Sequence, residues 1–164
     1  MFRQVRKRVY SGDVPLILRH TQDTRYTNGR SNLVSSHDCV QMEATCTVDP
    51  WNDEVVRVAA DSAQVIGIDE GQFMSNLAHF CEHYASLGKH IVVAALDGTA
   101  DRTLWPEIQH LIPLADHFYK LHAVCVICHE QAAFTRRLDG RHTGDKPDIG
   151  GAEKYIACLS LIHI

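Results

Sequence analysis

Hydrophobic residues fall along this chain in two kinds of pattern, short unbroken runs and positions spaced three and four apart. Val14 to Leu18, Val65 to Ile68 and His90 to Leu96 are runs without polar alternation, which predicts strands buried on both faces of a parallel sheet. Pro15 is tolerated near the start of the first. Helical spacing appears in residues 1–10, where Phe2, Val5 and Val9 are set among Arg3, Arg6, Lys7 and Arg8. It returns from Pro50 to Ala60 with Val55, Val58 and Ala59. A further helix is predicted from about Asn76 to Leu87, with Leu77, Phe80, Cys81, Tyr84 and Leu87 on one face and Gly88 as its stop. Pro106 opens a short helix carrying Trp105, Ile108, Leu111 and Ile112, and Asp116 to Val124 reads as a last strand. Strands alternating with helices give an α/β fold with a parallel sheet. A helix leading straight into the first strand is an unusual opening for such a domain, since a covering helix follows a strand.

Composition narrows the class without changing this picture. With 164 residues, 45% of them apolar and 22% charged, the chain fits one domain with a small appendage. A net charge of -4 points to neither nucleic acid nor a membrane surface. No apolar stretch approaches a membrane span, and the N-terminus lacks the apolar core of a signal peptide. Six cysteines without a framework, two of them as Cys125-Val-Ile-Cys128, suit a reducing compartment and a metal site. The cytoplasm is the expected location.

Candidate chemistry sits at strand ends. In open α/β sheets ligands bind beyond the carboxyl ends of the strands, where Asp69 and Glu70 fall. An Asp there holds magnesium directly or through water, and a neighbouring Glu can take a proton from a hydroxyl; an exposed acidic turn is the plainer alternative. After the first strand, Arg25 could grip a phosphate with Asp23 orienting it, or the two form an incidental surface ion pair. Cys125 and Cys128 can hold one side of a tetrahedral zinc site, although a redox Cys-x-x-Cys is a rival. The later sequence offers Cys158 and His163, and the loop Arg141 to Gly151 could close over a ligand.

Five segments occur in register: Asp-Thr-Arg-Tyr (23–26), Val-Ile-Gly-Ile-Asp-Glu-Gly-Gln-Phe (65–73), Ala-Ala-Leu-Asp-Gly-Thr (94–99), Ala-Val-Cys-x-x-Cys (123–128) and Ile-Gly-Gly-Ala-x-Lys-Tyr (149–155). Together they resemble the type II thymidine kinases, from about Arg3 to Cys158. The resemblance implies a RecA-like, P-loop-kinase sheet flanked by helices over residues 1–124, then a zinc-ribbon lasso domain over 125–158. It implies transfer of the γ-phosphate of ATP to the 5′-hydroxyl of thymidine, with Mg²⁺, structural Zn²⁺ and a homotetramer or dimer. Glu70 then matches the catalytic base, Asp69 the magnesium-side carboxylate, and Asp23, Thr24, Arg25, Gly71 and Gln72 the ATP side. Phe73, Leu96, Ala100 and Trp105 match the thymine pocket. Thr135, Lys146, Pro147, Asp148, Ile149, Gly150 and Tyr155 match the lasso residues around thymidine, and Cys125, Cys128 and Cys158 the zinc ligands.

The chain departs from the family in four places. No Gly-x-x-x-x-Gly-Lys-Ser/Thr loop is present; Met1 falls just after it in family register, so the expectation is a fragment lacking its first strand and phosphate loop, inactive as written. Position 100 is Ala where an aromatic is common. The fourth zinc ligand is expected at Leu161, which cannot bind metal. Residues 159–164 back-translate as a sequencing adaptor read in frame, and are expected to be an artificial tail; a natural end with His163 as fourth ligand is the alternative. A second functional class stays open, a non-catalytic kinase-like module that oligomerises with an active partner.

Overall fold

The computed structural model describes residues 1–21, 33–35, 41–139, 150–151 and 153–159. Contacts divide the chain into two units, Met1–Leu96 with Pro106–Leu114, and Asp97–Trp105 with Ala115–Ile164.

The first unit is built on a four-stranded sheet of order β4-β1-β5-β6, comprising β1 (Pro15–His20), β4 (Thr45–Thr47), β5 (Val65–Asp69) and β6 (His90–Val93). Every pairing in it is parallel. Val65, Ile66 and Ile68 are completely buried, as the unbroken apolar run requires. Alternation along the strands sorts side chains to two faces. Ile17 and Val65 share a cluster with Val5 of α1 (Phe2–Tyr10). That helix lies so close over β5 that a Cβ on Gly67 would stand 2.9 Å from both Val5 and Ile17. Leu16, Leu18, Ile66 and Ile68 turn to the other face. There Ile68 and Leu77 of α3 (Leu77–Ser86) both approach Gly71.

The helices begin and end for local reasons. Asp53 caps α2 (Glu54–Ser62) by accepting from the amides of Val55 and Val56. Glu107, on the short helix α4 (Pro106–Leu111), accepts from the amides of Asn76 and Ala78 at the start of α3. Tyr84 joins α2 to α3, its hydroxyl 3.2 Å from both the Arg57 carbonyl and Asp61. A short pair, β2 (Leu33–Ser35) and β3 (Gln41–Glu43), runs antiparallel beside the sheet's own sequence. Among the described residues no helix is long and apolar enough to cross a membrane.

Four differences from the expected elements stand out. β6 carries no buried residue and Leu96 is half-exposed, where both faces of that run were expected to be covered. Val55 and Val58 of α2 are exposed, and Val56 and Ala60 are buried in their place. Thr45–Thr47 is an edge strand that no apolar run announces. Asp116 to Val124 is not a strand of the parallel sheet: only β7 (Ala123–Val124) is extended and paired, antiparallel to β8 (Gln131–Ala132). Phe118, Tyr119 and Leu121 are exposed on both parities of that segment, so neither side offers a buried face to hold it in a sheet.

The second unit, taken by itself, carries β7, β8, β9 (Phe134–Arg137) and β10 (Tyr155–Cys158), the last two paired antiparallel.

Candidate active site

The parallel sheet brings the carboxyl ends of β1 and β5 side by side. In their register Arg19 stands opposite Asp69. Both fall on the face that carries Ile17 and Val65. Arg19 and His20 are buried at 3% and 6% exposure, unusual for such side chains. The His20 ring lies 5.8 Å from that of Phe73. Neither Arg19 nor His20 is a residue that motif reading singles out; their signal was position, two polar residues closing an apolar run beside the strand that ends in Asp69.

Immediately after Asp69 the chain turns sharply. Glu70 adopts the left-handed conformation, φ 53° and ψ 41°, which costs a non-glycine residue about 1–2 kcal/mol. What holds it is the turn that follows. The Gly71 amide donates to the Ala94 carbonyl at 3.1 Å. A side chain at 71 would meet Leu77 and Val93, each 2.9 Å from its Cβ, so glycine admits this approach without displacing either. Gln72 is buried, donates from Nε2 to Glu70 Oε2 at 2.6 Å, and accepts from the Leu96 amide at 3.0 Å. A carboxylate at the end of a central parallel strand is thereby fixed in place, within reach of a ligand lying beyond the sheet. Such a group can accept a proton, and Asp69 beside it can hold a cation.

Leu96 is half-exposed and Phe73 half-buried, both close to this turn in sequence and hydrogen bonding. The remaining expected pocket residues belong to the second unit. There Trp105 is half-buried, with its backbone amide donating to the Asp97 carbonyl, and Ala100 lies in the same loop. Thr135 pairs with Ala157 across the β9–β10 ladder. Tyr155 pairs with Arg137, whose guanidinium sits 5.9 Å from the tyrosine ring. Gly150 is half-buried. Asp23, Thr24, Arg25, Lys146, Pro147, Asp148 and Ile149, with Leu161 and His163, lie outside the described residues.

Cys125 and Cys158 are fully buried in one cluster, with Cys128 packed against it. The turn between β7 and β8 is closed by the Cys125 amide donating to Glu130 and the His129 amide donating to Cys125. Left-handed His129, φ 62°, completes it. Burial first, and the neighbouring Cys125 charge second, push the Cys158 thiol above its ordinary range. Three thiols are the right donor chemistry for zinc. Yet among the described residues no group of three or more His, Cys, Asp or Glu stands arranged to hold a metal ion.

Comparison with known proteins bears on the same stretch. The family model for thymidine kinase matches residues 1–162. The thymidine kinase of rabbit fibroma virus is 43% identical over 158 residues, which cover 94% of this chain and 82% of the viral protein. The cytosolic thymidine kinase of Bos taurus is 41% identical over 165 residues, 99% of this chain but 65% of its own. That of Homo sapiens is 40% identical over the same length, 66% of its own. The chain thus spans about two thirds of these mammalian relatives. An acidic turn locked at the end of a central parallel strand therefore stands in a chain matched almost from end to end, and the chain belongs to the thymidine kinase family.

Proposed function

We propose that this chain carries the thymidine-phosphorylating machinery of its family, transferring the γ-phosphate of ATP to the 5′-hydroxyl of thymidine to form dTMP, a deoxynucleoside-salvage step that feeds DNA synthesis. The observation that carries the reading is the braced Glu70 carboxylate at the end of β5. Glu70 accepts the 5′-hydroxyl proton as the oxygen attacks phosphorus, and general-base assistance of this kind is worth about 10²–10⁴-fold. Asp69 is the residue that would hold magnesium, whose charge neutralises what develops on the phosphates. Asp23, Thr24 and Arg25 serve the phosphate side. Phe73, Leu96, Ala100 and Trp105 enclose the flat base, and an aromatic supplies much apolar area for that task. Thr135, Gly150 and Tyr155, with Lys146 to Ile149, read its edge. Cys125, Cys128 and Cys158 hold a structural zinc that shapes residues 125–158, a reading supported by their shared cluster. The working protein is a homo-oligomer, and cytosolic like the vertebrate relatives.

Residues 1–164 contain no Gly-x-x-x-x-Gly-Lys-Ser/Thr cradle for the phosphates. By themselves they should therefore turn over little. The test is dTMP formation from thymidine and ATP, assayed with residues 1–164 and with a longer protein in which a strand and a Gly-x-x-x-x-Gly-Lys-Ser loop are added ahead of them. Turnover by the longer protein is expected. Failure of the longer protein to form dTMP or bind thymidine would refute the reading.

A further inference from the structure

We propose that Gln72 is a positioning residue that ties the Glu70 carboxylate to the strand end carrying Leu96, so that proton acceptor and nucleoside wall move together. The proposal rests on the kinase reading above for its catalytic half.

The backbone ladder explains why a side chain is needed here. The Ala94 amide donates to the Ile68 carbonyl at 2.8 Å, and the Ala94 carbonyl accepts from the Gly71 amide at 3.1 Å. The next rung would use the Leu96 amide, two residues on. By then β5 has turned away through left-handed Glu70. Gln72 Oε1 takes the place of the absent carbonyl, accepting from Leu96 at 3.0 Å. Its Nε2 then faces Glu70 and donates one of its two hydrogens to Oε2 at 2.6 Å. The amide cannot be reversed, since a carboxylate only accepts and a backbone N–H only donates. Gln72 itself is only 4% exposed, so its side-chain amide is shielded from solvent. Leu96, at 49% exposure, is not anchored by burial, and the bond from its amide ties it to Gln72. Glutamate has several rotatable bonds, and the contact with Gln72 restricts them. A displacement of about 1 Å at a reacting group can cost about 100-fold.

Two variants separate the two bonds. Q72M removes both at similar volume. Q72E keeps an acceptor for Leu96 but presents a carboxylate where Glu70 needs a donor. Hydrogen exchange at the Leu96 amide, followed by NMR on residues 1–164, should speed up about tenfold or more in Q72M and stay near wild type in Q72E. In the longer protein completed with a phosphate loop, kcat should fall about 10- to 100-fold in both variants. The thymidine KM should rise in Q72M and stay within about threefold in Q72E. Unchanged Leu96 exchange in Q72M, wild-type kcat in Q72E, or losses that only track a lower Tm would each overturn the proposal. A wild-type protein that makes no dTMP would overturn the kinase reading and the catalytic half with it, while Leu96 exchange would still decide the bridge.

Discussion

The two units of this molecule are held together by different physics. In the first, large side chains such as Phe80, Leu18, Ile66, Ile68 and Leu77 are fully buried between sheet and helices. In the second, among the described residues, the buried apolar side chains are Cys125, Ala132 and Cys158, while Phe118, Tyr119, Leu121, Val126 and Ile127 are exposed. Burial at about 25 cal/mol per Å² can hold a strand-end turn rigidly in the first unit. Two thiols and a methyl group supply far less. A lobe of that kind draws little of its rigidity from apolar burial among the described residues. The lesson is that the candidate proton acceptor rests on a well-packed core, and the candidate nucleoside-reading residues Thr135 and Tyr155 on a lobe with few buried apolar side chains.

Breaking the first unit's chemistry should have the largest effect. In the longer protein completed with a phosphate loop, Glu70→Gln keeps size and hydrogen bonding but cannot take the proton. Turnover should fall about 10²–10⁴-fold with thymidine affinity largely spared. Steady-state kinetics beside calorimetric thymidine binding decide it; lost affinity with intact turnover at saturation would move the base elsewhere.

For the second unit, Leu161→Cys should turn weakly held zinc into a stoichiometric, chelator-resistant ion. The gain in affinity should be at least about 100-fold, since even outer-shell partners contribute up to that. A competing zinc indicator measures it. If the unsubstituted chain already holds zinc as tightly, His163 is the fourth ligand.

Gly71→Ala sharpens the claim that the acidic turn is held by packing. Its Cβ would stand 2.9 Å from Leu77 Cδ2 and Val93 Cγ1, and overpacking of this kind costs about 1–3 kcal/mol. Urea denaturation should register that loss in the unfolding of the first unit.

The smallest effect separates the thiols of the two units. Burial, and then the charge of Glu107, raise Cys81 from 9.0 to about 12. The folded state therefore keeps this thiol protonated where the unfolded state ionises it. Stability from this source is fully present below pH 9 and is lost as pH rises toward 12. Cys81→Ala should flatten that alkaline decline. At pH 8 alkylation should spare Cys81, while chelation should expose Cys125, Cys128 and Cys158 to reagent.

How much of this was legible in the sequence differs from element to element. Val65 to Asp69, the buried side of α3 and the helical character of α1 could be read directly, because burial on one or both faces dictates a local pattern of apolar residues. β4 could not, since Thr-Cys-Thr at a sheet edge carries no apolar run. Asp116 to Val124 was misread because β-forming residues make a strand only where a neighbour offers a ladder. Cys125, Cys128 and Cys158 were recognisable as candidate ligands from type and spacing, but the clustering of Cys158 with Cys125 required β10 to pair with β9.

By itself the sequence determined which acids end the central strand and which family motifs surround them, for strand burial and motif order are properties of neighbouring residues. Only the tertiary structure decided how Glu70 is held. The bridge from Gln72 to Leu96 spans 24 positions. It exists because the parallel register of β5 and β6 brings Ala94 and Leu96 alongside a turn that Gly71 allows to pass close. That register is a property of the backbone ladder between two strands distant in sequence, and no local pattern encodes it.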